Sequence, residues 1–507
     1  MGFDDPFTGY SVLLRILVYG IVPAFLVLQF FRARRGLHVF QLEGYKRARF
    51  LEWCRKNPGR ARFLSPLSAK KPLMMTGRAW RILVTTVILC FLGVYVPSGI
   101  AHLSGGFPFD VLTCVVTIAL LFLGLPRVLV AADVVMSPVQ GAINARYLRT
   151  ARSKLDEVKP LVVGVTGSFG KTSTKFAIQQ LLGGDAEVLA TPGSFNTPLG
   201  VCRTINEQLA AHHKAFVVEM GAYGEGEIAE LVAFVRPTIG VLTAIGPAHL
   251  ERFGSIEAIE RGKYEIVRDL PREGIAVMNV DDERVRRLAD GTSHVRVIRY
   301  GADASGSPDV SATRADTTRA GTELEIATDA GSIDATTRLL GRHAVGHVLA
   351  AVAVARAAEV PVEALAARIA ALETVEHRLQ IIEGAGGVTV IDDAYNSNPD
   401  GAAAALDVLG QMEARKRVVV TPGIVELGPL QAGENERFGA AAAKVADVVI
   451  VVAKLNRDAL VRGARSVDGV EVITVDTLDE ATNALKTVLG PGDVVLFEND
   501  LPDQYEG

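Results

Sequence analysis

Leu161 to Thr174, LVVGVTGSFGKTST, is the stretch on which the reading of the whole chain turns. A β-branched apolar run through Val162, Val163 and Val165 ends in Thr166-Gly167-Ser168-Phe169-Gly170-Lys171-Thr172, and helical periodicity follows from Lys175 to Leu182. In the order strand, glycine loop, helix, backbone N–H groups join the positive end of a helix dipole and make a cradle for phosphate. Lys171 supplies a point charge and Thr172 is placed to hold Mg²⁺, as in a P-loop. The strict pattern has glycine at position 165, where this chain has valine, so on the loop alone an ordinary glycine-rich turn stays open.

Downstream of the loop, β-rich runs alternate with helical ones, which points to an α/β architecture on a largely parallel sheet. The expected strands are Leu161–Val165, Ala186–Ala190, Ala215–Glu219, Thr238–Ala244 and Ile275–Asn279. From Val295 to Leu339 the runs turn short and polar, which predicts an antiparallel edge hairpin or two. Alanine-rich helices follow at His343–Ala358 and Val362–Leu372. A second α/β unit starts near Glu376, with strands at Val388–Ile391, Arg417–Val420, Val448–Val452, Glu471–Val475 and Asp493–Phe497.

Upstream, the chain has another character. The mean hydropathy of +0.27 is high for a soluble enzyme. It comes from three apolar stretches, expected as membrane spans over about 12–31, 80–100 and 107–126. A cleaved signal peptide would account only for the first, which lacks a basic leader and a small-residue cleavage site. The segment between the first two spans is crowded with bases, from Arg32, Arg34 and Arg35 to Lys70 and Lys71, whereas Asp4 and Asp5 precede the first span. The positive-inside rule then predicts the N-terminus outside and the body of the chain in the cytoplasm, with its ATP. The balance of 53 basic to 57 acidic residues, net −4, gives no sign of a nucleic-acid partner. The four cysteines have no paired spacing, which fits a reducing compartment without zinc or disulfides.

Three further residues extend the loop's chemistry. Glu219 ends an apolar strand, where a nucleotide enzyme places an acid beside the metal held by the loop. His249 sits in a loop just after a strand, and Lys263 in the helical stretch Ser255 to Asp269. Each alone reads as a structural or solvated residue; their order after a phosphate loop is what singles them out.

With these residues in place, the chain resembles the Mur ligases, and among them the branch that adds D-alanyl-D-alanine to a UDP-muramoyl tripeptide. The resemblance runs from about Pro160 to Gly492. It rests on the loop above, on Gly193-Ser194-Phe195-Asn196-Thr197-Pro198-Leu199-Gly200, Glu219-Met220-Gly221, Ala248-His249-Leu250, Lys263 and Met278-Asn279-Val280-Asp281. Gly341-Arg342-His343, His377-Arg378 and Asp392-Asp393-Ala394-Tyr395-Asn396-Ser397-Asn398-Pro399 complete it.

The apolar stretches imply a membrane region over 1–136, and the resemblance a central P-loop ATPase domain over 137–372 and a C-terminal Rossmann-like domain over 373–507. It implies ATP and two Mg²⁺ ions. Gly167, Ser168, Gly170 and Lys171 would hold the phosphates, Thr172 and Glu219 the first ion, and His249 the second. Lys263 matches a lysine that is carbamylated in these ligases and so helps to hold the second ion. Asn279 and Arg378 match ATP contacts, and Asp393, Tyr395 and Asn396 lie where the C-terminal domain closes over the nucleotide. The implied reaction passes the γ-phosphoryl group to a carboxylate, and an amine then displaces phosphate. A two-metal site suits this, because phosphoryl transfer asks mainly for positioning and charge neutralisation.

Three departures bear on the substrate. Apolar stretches stand where the family has its uridine-binding domain. Ala344 and His347 stand where relatives carry asparagines, one of which contacts ATP. The final strand runs into Glu498-Asn499-Asp500 in place of a lysine- and serine-bearing close. The expected function is therefore a peptide-forming ligase of cell-wall precursors. The alternatives are a membrane-anchored ligase acting on a lipid-linked or polymeric envelope substrate and, from another class, a silent nucleotide-binding membrane scaffold.

Overall fold

The computed structural model describes residues 8–65, 72–303, 306–318, 321–395 and 397–500. The chain divides into two compact units, Met1–Arg146 and Tyr147–Gly507, and the division falls inside one helix, Leu125–Val158.

Among the described residues, three helices are long and apolar enough to cross a membrane: Val12–Leu42 within Thr8–Leu42, Gly77–Gly105, and Leu125–Val158, which runs on past the first unit. The first two contain expected spans; the third does not lie where it was expected. The apolar run over 107–126 breaks at Gly124 (φ −86°, ψ 5°), which leaves a helix of 15 residues, Phe109–Leu123. At about 1.5 Å per residue that helix falls short of a hydrocarbon core of about 30 Å. Hydropathy runs straight across such a break, because the glycine has leucine on both sides. The basic segment between the first two spans carries helix Arg47–Lys56, whose Phe50 is buried with Phe40 and Phe63. Asp133 draws Arg47 and Arg78 together at 2.7 and 2.9 Å. Asp4, Asp5, Lys70 and Lys71 lie outside the described residues.

The second unit contains two sheets. The first is formed by β1 (Leu161–Thr166), β2 (Val188–Ala190), β3 (Ala215–Glu219), β4 (Ile239–Leu242), β5 (Ile275–Asn279), β6 (Arg296–Gly301), β7 (Val310–Thr318), β8 (Gly321–Thr328) and β9 (Gly331–Thr337). Its order is β2-β3-β1-β4-β5-β6-β7-β8-β9. β1 lies between β3 and β4, parallel to both, with Val163 opposite Val217 on one side and Ile239 on the other. Such a strand is covered on both faces, so it reads as a continuous β-branched run. One face packs helices Lys171–Leu182 and Arg342–Ala357, the other Pro198–Gln208, Glu227–Val235 and Ile256–Arg268.

The polar region forms the expected antiparallel edge, preceded by a parallel strand. β6 pairs parallel with β5, and β7 parallel with β6; only β7, β8 and β9 form the antiparallel edge. β6 runs parallel to β5 because the helix Glu283–Gly291 is a crossover that returns the chain alongside it.

The second sheet contains β10 (Gln380–Glu383), β11 (Thr389–Asp393), β12 (Arg417–Thr421), β13 (Val448–Val452), β14 (Glu471–Val475) and β15 (Val494–Glu498). Its order is β10-β11-β15-β12-β13-β14, parallel except for β10. β10 is the strand that the sequence reading lacks.

Candidate active site

The turn after β1 is built for close approach. Gly167 has φ 151°, and a Cβ there would sit 2.0 Å from Thr243 Oγ1. Gly170, in the left-handed region at φ 76°, precedes helix Lys171–Leu182, and a Cβ there would meet His347 Cε1 at 2.7 Å. The loop is pinned from the β4 side. Thr243 Oγ1 donates to Phe169 O at 2.6 Å, and Ser168 Oγ accepts from Gly246 N at 2.9 Å. Asn279 donates to Thr243 O at 2.8 Å, so it supports the loop through that threonine.

Lys171 Nζ donates to Gly167 O at 2.7 Å and Ser168 O at 3.2 Å, on the concave side of its own loop. Burial pushes its pKa down to about 8. Thr172 Oγ1 donates to Glu219 Oε2 at 2.8 Å, which joins the helix start to the end of β3. Glu219 is 2% exposed and also accepts from Lys175 Nζ at 3.3 Å and Asn196 Nδ2 at 3.2 Å. Lys175, wholly buried, was read in sequence only as the start of a helix; no local signal distinguishes it from a solvated lysine.

His249 follows β4 in left-handed conformation at φ 60°. Its ring meets Tyr223 edge-on at 4.8 Å, and its Nδ1 faces the carboxylate of Glu426. Burial lowers its pKa, with Glu426 opposing. Lys263 is 2% exposed, and burial followed by the charge of Lys171 pushes its pKa down to about 7. Its Nζ lies 5.6 Å from the Phe253 ring, and among the described residues no carboxylate forms an ion pair with it.

The C-terminal sheet brings its own group. Arg378 stacks over Tyr395 at 4.4 Å, and Tyr395 donates to Ser194 Oγ at 2.5 Å, in the loop after β2. Asp393 accepts from Leu379 N at 3.1 Å. Asn396 lies outside the described residues. His347, at the position of a departure, meets the helix that follows the phosphate loop, through Thr174 Oγ1 at 3.0 Å, and burial drives its pKa down to about 3. Glu426 went unread, and Glu498, at the end of β15, was read only as part of a departure from the family's close.

The arrangement is a phosphate cradle with a cation, a hydroxyl–carboxylate pair, a histidine and a buried lysine on one side, and an arginine, a tyrosine and acids facing from the second sheet. Comparison with known proteins points the same way. Residues 165–355 match the Mur ligase middle domain and residues 377–498 the Mur ligase glutamate ligase domain. The UDP-N-acetylmuramoyl-tripeptide–D-alanyl-D-alanine ligase of Mycobacterium tuberculosis is 36% identical over 366 residues, covering 66% of this chain and 70% of its own. MurF from Acinetobacter baumannii superposes with a TM-score of 0.64 at 27% identity, over 72% of this chain and 78% of that one. The MurF ligase of Thermotoga maritima, solved with ADP, gives 0.63 at 28%, over 70% and 80%.

Proposed function

The chain belongs to the Mur ligase family, and we propose that it adds D-alanyl-D-alanine to a UDP-linked muramoyl tripeptide. It is an ATP-dependent ligase that forms a peptide bond, and the ligases of its family use ATP with Mg²⁺. The observation that carries the substrate reading is the likeness to the tripeptide–D-alanyl-D-alanine ligase, which extends through both domains.

The roles follow from the donors present. Lys171 and the loop N–H groups would take the phosphates, except that of Ser168, which donates to Ala244 O at 2.8 Å. Thr172 and Glu219 offer a hydroxyl and a carboxylate 2.8 Å apart, an oxygen set that fits Mg²⁺. Among the described residues no three His, Cys, Asp or Glu converge on one point, so phosphate oxygens and water would complete the shell. His249 would serve a second ion. Lys263, buried and with no ion-pair partner among the described residues, is suited to carbamylation: its amine, neutral when deprotonated, would add to CO₂, release a proton and become an anion able to help hold that ion. Asn279 and Arg378 would hold the nucleotide, and Asp393 with Tyr395 would close over it and keep water from the acyl phosphate.

A second reading is favoured by the first unit, whose apolar helices would anchor the enzyme to the cytoplasmic membrane with its N-terminus outside. Tethering raises the effective concentration of a lipid-linked acceptor. One screen of the full chain in detergent, scored by ADP release, separates the two: strong turnover of UDP-muramoyl tripeptide with D-alanyl-D-alanine supports the first, and turnover of lipid-linked acceptors alone overturns it. The orientation has its own test, since all four native cysteines are buried. Ser104→Cys should label from outside intact cells and Arg60→Cys should not; the reverse pattern would place the ATP site on the wrong side.

A further inference from the structure

The loop after β12, from Pro422 to Leu430, reaches the histidine of the first sheet. Glu426 is 7% exposed and sits in left-handed conformation at φ 64°, opposite His249 at φ 60°. Non-glycine residues hold such backbone only where their surroundings impose it, and they gather at functional sites. One carboxylate oxygen meets His249 Nδ1, and the other accepts from Arg252 at 2.7 Å. The backbone joins in, with Glu251 N donating to Glu426 O at 3.2 Å.

The loop is fixed before it arrives. Asn435, wholly buried, accepts from Ile424 N and donates to Ile424 O, both at 2.8 Å. Asn456 donates to Pro422 O at 3.1 Å and Ile424 O at 3.2 Å. Ile424 and Leu427 lie in the core beneath. On the other side the histidine loop is tied to the phosphate loop through Ser168 and Gly246. Glu426 is therefore presented by one rigid frame to a histidine held by another.

A carboxylate on Nδ1 fixes a histidine as the Nδ1–H tautomer, which leaves Nε2 with its lone pair free to meet a metal ion. Here the carboxylate comes from the C-terminal sheet. We propose that Glu426 is a positioning residue: it sets the tautomer and aim of His249, so the second metal position becomes competent only when the C-terminal domain is docked. The proposal rests on the reading of His249 as a metal ligand, and its test separates the two.

The test uses the full chain in detergent with ADP and Mn²⁺ as probe, counting free Mn²⁺ by electron paramagnetic resonance. His249→Ala and Glu426→Gln should each weaken one Mn²⁺ site by about 10-fold or more. With Arg252 donating to the amide oxygen, the glutamine turns its NH₂ toward His249 and favours the wrong tautomer. Arg252→Ala, which breaks the ion pair but spares the histidine contact, should shift Mn²⁺ affinity less than Glu426→Gln. Glu426→Asp should fall between Glu426→Gln and wild type, and serves as the second variant if the glutamine form does not fold. Loss in His249→Ala with unchanged binding in Glu426→Gln or Glu426→Asp would overturn the proposal alone. No loss in His249→Ala would overturn the reading beneath it. An Arg252→Ala effect as large as that of Glu426→Gln would reduce Glu426 to an interdomain ion pair and overturn the positioning role.

Discussion

Both sheets of the catalytic unit end parallel strands in buried acids, and the two ends treat those acids in opposite ways. At the end of β3, Glu219 is met by the Thr172 hydroxyl, the Asn196 amide and the Lys175 ammonium. At the ends of β11 and β15, Asp393 and Glu498 are neighbours in register, and Glu498 is wholly buried. Ser397 donates to one oxygen of Glu498, and among the described residues no donor reaches the other. Burial, then the neighbouring Asp393, lifts the Glu498 pKa well above the carboxylate range, and burial raises that of Asp393. The C-terminal edge of a parallel sheet is where such folds bind ligands. The first edge offers a carboxylate already surrounded by donors, whereas the second sets two acids side by side with burial opposing the charge of both.

The contrast breaks most sharply at the phosphate loop. Lys171→Ala should lower ATP-dependent phosphate release by about 10³-fold or more, because it removes a charge from the transferring group; a rate within a few-fold of wild type would remove the loop from the chemistry. Next, Glu219→Gln strands the Lys175 ammonium, so stability should fall by about 3 kcal/mol in a denaturant titration, with loss of Mg²⁺-dependent turnover. A neutral result would mean that the pair is solvated. Lys263 sharpens the first edge further. At pH 8 its amine, with pKa near 7, is mostly neutral. Stripping bicarbonate, or Lys263→Ala, should cost about 10- to 100-fold in rate, with partial return on adding a short carboxylate. Indifference to CO₂ with a silent Lys263→Ala would end that role.

The smallest effect has the opposite sign. A carboxyl whose folded pKa is raised contributes stability that is intact below the unfolded pKa and is lost as pH rises through the folded one. Glu498→Gln should thus stabilise the protein on the order of 1 kcal/mol at pH 8, with no difference near pH 4. Destabilisation at pH 8 would show the acid to be paired after all.

Much of this was legible in the sequence, and the gaps have causes. β1, β3, β5, β12 and β13 were read to within about a residue, because buried parallel strands announce themselves as β-branched runs. β10 escaped because it is short, polar-flanked and only partly buried. The break at Gly124 escaped because one glycine between leucines barely changes hydropathy. Among the site residues, Lys171, Thr172 and Glu219 were found because motif spacing carries them. Glu426 was missed because its meaning lies in a partner 177 residues away. Lys175 was missed because burial, not sequence context, makes it a counter-ion.

The most direct test of the whole account is to supply the full chain with ATP, Mg²⁺, UDP-muramoyl tripeptide and D-alanyl-D-alanine, and to follow ADP and the peptide product together by mass spectrometry. The account predicts one amide formed per ADP released, and neither in Lys171→Ala. ATP bound without ADP release, with this pair or any lipid-linked acceptor, would contradict it and leave a nucleotide-binding scaffold.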